Sequence, residues 1–397
     1  MKGFLVLLFV ASVFALDNGL ALTPPMGWMP WEQYRCTIDC KTHPDGCVNE
    51  DLFIKMTDKM VEDGYLEAGY DRINIDDCWS THERDANHRL VPDPERFPHG
   101  MKYVGDYMHS KNIYFGIYND YGTLTCEGYP GSKGYLEIDA ETFASWGVDA
   151  LKMDGCYSEV LDQMDAYPAM SYFLNATGRP ILYSCSWAAY AGSTDNYKYY
   201  EMLPKYCNLW RNWWDIRPTW ASIRQIMTVF GNTSLWFKYA GPGHWNDPDM
   251  IVIGMKDGLN KDESETQMAI WSVLAAPLYM TNDLRNITSW AKEILLNKEV
   301  IAVDQDPLGI SGYRIGEAKN EEVWVRQLQN NEWAIVLLNS NDQPATVTTK
   351  FSEFTQVKSF ALRNLFTHTD LGIFTESYTN EQVPPHGVIM LRAVPQN

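Results

Sequence analysis

The stretch VDALKMDGCYSEV, residues 148–160, decides the fold. An apolar run ends in Lys152 and Asp154, followed by Gly155 and Cys156. Residues two apart on a strand share a face, so a cation and an anion leave the same side of a chain otherwise suited to burial. Buried strands seldom carry such a pair, because an uncompensated charge is costly away from water. Charges at the C-terminal end of a buried strand do fit the rim of a β/α barrel, where strand ends face the site.

Working outward, similar β-rich runs recur. They are MGWMPW (26–31), RINID (72–76), IYFGIY (113–118), DALKMD (149–154), ILYSC (181–185), CNLWR (207–211), LWFKYAG (235–241) and SVLAAPLYM (272–280). Helical patterns separate them. One starts at Asn49, an N-cap residue, with Glu50 and Asp51 in the first turn. Leu52, Phe53, Met56, Met60 and Val61 follow at helical spacing, and Gly64 stops it. Eight strand-helix units predict a (β/α)8 barrel. After DQDPLG (304–309) the texture changes to EEVWVRQL, EWAIVLLN, ATVTTKF, SFALRNLF and GVIMLRAV, with short connections. That predicts a C-terminal antiparallel β-sandwich. The expected division is a signal peptide at 1–15, the barrel at 16–309 and the sandwich at 310–397.

The chain opens MKGFLVLLFVASVFALDNG, with a basic residue, a short apolar core and small residues before a cut near Ala15. That is a secretory signal, and it is too short for a membrane anchor. All eight cysteines lie beyond it, so four disulfides are expected, their pairing left open by spacing alone. Sequons at Asn175, Asn232 and Asn286 agree with export. Lys and Arg number 32 against 51 Asp and Glu, a formal charge of −19, which argues against nucleic acid and anionic membranes as partners. The 15 tryptophans could stack on sugar rings, although most belong to core packing.

The charges cluster where a barrel would place its site. Asp76 and Asp77 end the second run, Tyr118 and Asp120 the third, Lys152 and Asp154 the fourth. Ser186 follows the fifth, Arg211 and Asp215 the sixth, and Asp247 and Asp249 the seventh. Asp247 and Asp249 sit in GPGHWNDPDM, a turn-rich stretch where Asp can also cap backbone amides. A Ca2+ or Mg2+ site is disfavoured by Lys152 and Arg211 among the acids, and no D-x-D-x-D-G loop occurs. Neither a CxxC pattern nor a G-x-S-x-G elbow is present, so no metal, cofactor or Ser-His-Asp triad is expected. Two carboxylates across a pocket suit glycoside cleavage. A sugar-binding protein without catalysis is the alternative class.

TPPMGWMPWE, NIDDCW, RFPHGMKYV, LKMDGCY, YSCSW, WRNWWDI and AGPGHWNDPDM together resemble the lysosomal-type α-galactosidase and α-N-acetylgalactosaminidase family, in family order from about residue 17 onward. The resemblance implies that Asp154 is the nucleophile and Asp215 the general acid/base. It implies that Asp76 and Asp77 hold O4 and O6 of the sugar, that Lys152 reaches O3 and O4, and that Arg211 lies near the C2 substituent. Trp31, Tyr118 and Tyr190 would be pocket-wall aromatics. It also implies a homodimer, a lysosomal or secreted fate, and disulfides Cys36–Cys78, Cys40–Cys47, Cys126–Cys156 and Cys185–Cys207.

Within the family, the galactosidase type carries Glu and Leu where Ser186 and Ala189 stand. Those larger residues would clash with an acetamido group at C2, so Ser186 and Ala189 match the N-acetylgalactosaminidase type. The expected partners are glycoconjugates ending in α-linked N-acetylgalactosamine, with weaker action on α-galactosides, which enter a wider pocket without clash. α-Galactosidase as the main activity is the alternative. A retaining double displacement predicts carboxyls roughly 5–5.5 Å apart. Lys152 is expected to keep Asp154 ionised, and Asp215 to have a raised pKa.

Overall fold

The computed structural model describes residues 18–191, 197–318 and 321–396; the signal segment and its cut near Ala15 lie outside the described residues. Eight parallel strands form the first sheet: β1 (Met26–Trp28), β2 (Arg72–Asn74), β3 (Tyr114–Asp120), β4 (Ala150–Asp154), β5 (Leu182–Cys185), β6 (Leu209–Arg211), β7 (Trp245–Asp247) and β8 (Leu278–Met280). Neighbours run in sequence order from β1 to β7, and β8 pairs with β1. The barrel closes where Ile251, just past β7, bridges Met280 of β8. Register sets the rim: Tyr118 stands beside Lys152, and Asp120 beside Asp154.

Parallel strands covered by helices on one side and neighbours on the other are buried almost throughout, and β4 is buried from Ala150 to Met153. The helix Glu50–Glu62 follows its pattern. Asn49 accepts from the Leu52 amide, and Leu52, Phe53, Met56 and Met60 are buried. Val61 was expected on that face but is 38% exposed. It follows Met60 by one position, about a quarter-turn off the buried stripe.

Two strands depart from the sequence reading. LWFKYAG is not the seventh strand. Its first part is a short helix, Ser234–Phe237, with Trp236 buried. The strand is the polar triplet Trp245–Asp247, inside the stretch read as turn-rich. Asn246 makes that burial tolerable, accepting from Trp210 Nε1 at 2.9 Å and Asn212 Nδ2 at 2.8 Å while donating to the Trp236 carbonyl. Of SVLAAPLYM only the last three residues form β8, and the first three belong to a helix, Lys261–Leu274, ended by Ala275 in the left-handed region at φ 56°.

The C-terminal part begins with β9 (Tyr313–Ala318) and β10 (Glu321–Gln327). It continues through β11 (Trp333–Asn339), β12 (Ala345–Lys350), β13 (Ser359–Asn364), β14 (Thr369–Thr375), β15 (Ser377–Val383) and β16 (Val388–Pro395). Six strands form one antiparallel sheet in the order β14-β13-β16-β11-β10-β9, and β12 pairs with β15. Every residue of β11 is buried, because the sheet has two covered faces. Ala334, Val336 and Leu338 join the barrel core, whereas Trp333, Ile335 and Leu337 join a second core with Val347, Tyr378 and Val383 of the two-stranded layer. Period-two alternation therefore glues one sheet to both layers. Among the described residues no helix is long and apolar enough to cross a membrane.

Candidate active site

The C-terminal strand ends converge on one cavity of about 550 Å3. From β4, Asp154 accepts a hydrogen bond from Tyr118 at 3.3 Å and one from the Gly155 amide at 3.0 Å. Glycine is needed at 155: a Cβ there would lie 2.9 Å from the Tyr190 ring and 2.6 Å from Gln163 Nε2. Lys152 does not pair directly with Asp154. Its Nζ donates to Asp76 at 2.7 Å and sits 5.1 Å from the centre of the Tyr118 ring. Burial disfavours its charge, but Asp76 and Asp154 outweigh that and raise its pKa. The lysine therefore remains a cation between two carboxylates.

Across the cavity, Arg211 Nη2 lies 3.2 Å from Asp215 and 2.9 Å from Asp249. Asp249 also accepts the Ile216 amide at 2.8 Å, so one buried carboxylate grips both the arginine and the loop that carries Asp215. Asp249 stands at φ 86°, a strained conformation for a non-glycine residue. The side chain of Asp215 is half exposed. Burial pushes its pKa up, but Arg211, Lys152 and Arg217 hold its carboxyl below the usual value. The structure shows the opposite of the raised value expected from the sequence, because three cations surround a group still open to water.

Ser186 is buried and immediately precedes the helix Trp187–Ala191, which carries Ala189 and Tyr190. All three line the cavity with Asp154 and Asp215, as do Trp31, Asp76, Tyr118, Lys152 and Arg211. Two expected contacts are not among the residues lining this cavity. Asp77 accepts the Cys78 amide at 2.7 Å and the Glu127 amide at 3.1 Å, and burial pushes its pKa up to about 6. It anchors the loop that follows β3. Asp247 lines a small space inside the barrel with Asn74, Ser184 and Asp249, and burial likewise raises it to about 6. Asp120 is buried too, accepts the Gly122 and Cys156 amides, and is raised by burial and by the charge of Asp154.

Four disulfides are present, Cys36–Cys78, Cys40–Cys47, Cys126–Cys156 and Cys185–Cys207. The Cys126–Cys156 bridge is itself part of the cavity wall, with Cys156 Sγ 3.1 Å from the Tyr190 hydroxyl. Asn175, Asn232 and Asn286 are exposed. Most tryptophans are core: Trp28, Trp187, Trp210, Trp236, Trp245 and Trp271 are fully buried in the barrel. Only Trp31, Trp213 and Trp214 line the cavity. Sequence reasoning missed Arg35, Glu127, Trp213, Trp214 and Arg217 on its rim. Their signal was proximity, since Trp213, Trp214 and Arg217 flank Asp215 and Arg35 is one helical turn past Trp31.

The alpha galactosidase A family model matches residues 23–306, and that for the alpha galactosidase C-terminal beta sandwich domain matches residues 318–393. The chain is 46% identical over 388 residues to alpha-N-acetylgalactosaminidase of Gallus gallus, covering 96% of each chain. It is 50% identical over 331 residues to alpha-galactosidase A of Homo sapiens, covering 83% of this chain and 76% of that one. Among solved structures, alpha-galactosidase I from Mortierella vinacea superposes with a TM-score of 0.86 at 34% identity, covering 96% of this chain and 99% of the other. A matched barrel, a matched sandwich and near-complete coverage place the chain in the alpha-galactosidase A family.

Proposed function

We propose that the protein is a retaining exo-glycosidase that removes terminal α-linked N-acetylgalactosamine and acts more weakly on α-galactosides. Overall identity does not choose between the two sugars, at 46% for a relative of one type and 50% for one of the other. The carrying observation is local: Ser186 and Ala189 line the same cavity as Asp154 and Asp215. Small side chains there leave room for an acetamido group, and the serine hydroxyl can donate to its oxygen.

In this reading Asp154 attacks C1 of the sugar while Asp215 protonates the departing oxygen. A glycosyl ester forms on Asp154, and water activated by Asp215 then releases the sugar with retained configuration. The substrate excludes water from Asp215, which favours its protonated form before attack. Esterification removes the charge of Asp154, and the proton then leaves Asp215 more readily, as the base role requires. Lys152 and Asp76, already paired, present a donor and an acceptor to the ring hydroxyls.

Two measurements test the reading. Aryl α-GalNAc should be hydrolysed with a higher kcat/KM than aryl α-Gal; the reverse order overturns the sugar assignment. Asp154→Asn should fold normally and lose turnover, and near wild-type rates would overturn the nucleophile assignment. A homodimer reaching the lysosome or the medium through the secretory route completes the proposal, and sedimentation of the secreted glycoprotein tests the dimer.

A further inference from the structure

The rim of the cavity holds an arrangement that cleavage itself does not require. Arg35 and Arg217 both line it. They come from separate elements, Arg35 closing the short helix Trp31–Tyr34 and Arg217 lying two residues past Asp215. Both pair with one carboxylate, Glu32, whose side chain is 1% exposed, while theirs are 37% and 54% exposed. Arg217 Nη1 is 3.2 Å from Glu32 Oε1, and Arg35 Nη2 contacts Oε2. Arg35 also rests over the Trp31 ring at 5.4 Å and is held at φ 48°, a costly backbone conformation for a non-glycine residue. Two guanidiniums thus share one counter-charge, and each keeps donors toward the cavity.

We infer that Arg35 and Arg217 form an anion-binding subsite for the leaving group, so that the favoured glycoconjugates carry a carboxylate or sulfate on the unit to which the terminal α-linked sugar is attached. The inference rests on the hydrolytic reading above and adds the substrate class. Against a formal charge of −19 for the chain, the cavity lining is locally balanced, with Arg35, Lys152, Arg211 and Arg217 facing Asp76, Glu127, Asp154 and Asp215, and its two exposed cations, Arg35 and Arg217, sit at the rim. Arg211 has two carboxylates to itself, Asp215 and Asp249, whereas Arg35 and Arg217 share the single carboxylate of Glu32 and so keep donors for a ligand. Trp214, 68% exposed on the same rim, offers a stacking face for the ring that bears the anion. Among the described residues, Asp76 and Glu127 are the acids lining the cavity besides Asp154 and Asp215; Asp76 is paired with Lys152, and Glu127 opposes the effect. Burial pushes Glu32 up to about 7, with Arg35 and Arg217 pulling it down and Asp249 and Asp215 pushing it up. Below that pH Glu32 loses its charge, and the two guanidiniums turn fully to the ligand.

The test uses three disaccharides: α-GalNAc-(1→3)-galactose, the same with a 6-sulfate on the galactose, and the same with galacturonate in its place. The bond broken and the oxygen released are alike in all three. In the intact enzyme at pH 5, kcat/KM for at least one anionic probe should exceed the neutral one roughly tenfold, as charge-assisted hydrogen bonds to a half-exposed arginine pair allow. Whether sulfate or uronate leads identifies the source of the anion. Added salt should shrink the ratio. Arg35→Gln with Arg217→Gln should bring it to about one. Since that pair leaves Glu32 buried without a partner, Glu32→Gln serves as a second variant and should raise the ratio at pH 7. A ratio near one in the intact enzyme, or one that survives the double arginine variant, overturns the subsite. Failure to cleave any α-GalNAc probe while cleaving aryl α-Gal would instead overturn the sugar assignment, and the ratio is then read on the matching α-Gal set.

Discussion

At the scale of single residues, Asp215 shows how neighbours set a role. Its carboxyl sits below the usual value because Arg211, Lys152 and Arg217 outweigh burial. An acid catalyst loses activity as pH rises through its pKa, so kcat/KM should fall toward neutral pH and the optimum should be acidic. Arg217→Gln removes one of the three cations and should move that falling limb to higher pH. A pH profile of kcat/KM for both proteins checks the sign, and an unchanged limb would exclude Arg217 from control of Asp215. Ser186 and Ala189 carry the sugar choice. Ser186→Glu with Ala189→Leu fills the space for the acetamide, at about 1–3 kcal/mol of overpacking, or roughly 5- to 150-fold against α-GalNAc. Hydrolysis of α-Gal should survive or rise in the same variant. Parallel loss of both activities would mean that these positions support the fold and not the choice.

At the scale of elements, the loops after β3 and β4 act as one piece. Asp120 accepts the Cys156 amide, Asp77 accepts the Glu127 amide, and the Cys126–Cys156 bridge closes the junction beside Tyr190. Removing that bridge by Cys126→Ala with Cys156→Ala should lower stability by about 2–4 kcal/mol. It should also cut kcat more than tenfold, because Tyr118, Asp154 and Tyr190 share that wall. Cys40–Cys47, seven residues apart and outside the cavity lining, is the control: its loss should lower Tm and leave kcat alone. Equal losses of kcat in both variants would refute a special role for the wall bridge. The same elements show what a sequence can reveal. DALKMD was legible because an apolar run with charges at its end has one reading in a barrel. WND was not, because a three-residue strand with two polar members carries no hydrophobic period, and its burial depends on partners at positions 210, 212 and 236. β14 was missed for a different reason: it lies at the edge of its sheet and is largely exposed, so nothing enforces alternation. In the site, the strand ends named the acids, but the pairing of Lys152 with Asp76 spans 76 residues and needs the closed barrel.

At the scale of the whole molecule, the buried carboxyls tie stability to pH. Burial raises Asp77 and Asp247 from 3.8 to about 6, and Glu32 from 4.5 to about 7. Between about pH 4 and 7 the native state therefore holds protons that the unfolded chain has released. Stability must then fall as pH rises through that window. Glu299 works the other way: Arg363 and His368 lower it from 4.5 to about 2, so its contribution is present above 4.5 and lost as pH drops further. His244, lowered by burial, adds stability above 6.5 that fades as pH falls. Raised carboxyls, Asp120 among them, outweigh one lowered histidine and leave a net decline toward neutral pH, and a formal charge of −19 adds self-repulsion in the same direction. Thermal unfolding should thus give a higher Tm near pH 5 than at pH 7.5, with a renewed fall below about pH 4. Glu32→Gln should flatten the slope above pH 5, because the variant has no proton to lose there. A Tm that is level or rises from pH 5 to 7.5 would mean that these buried acids stay charged in the folded protein, and the stabilisation assigned to their protonation would fall with it.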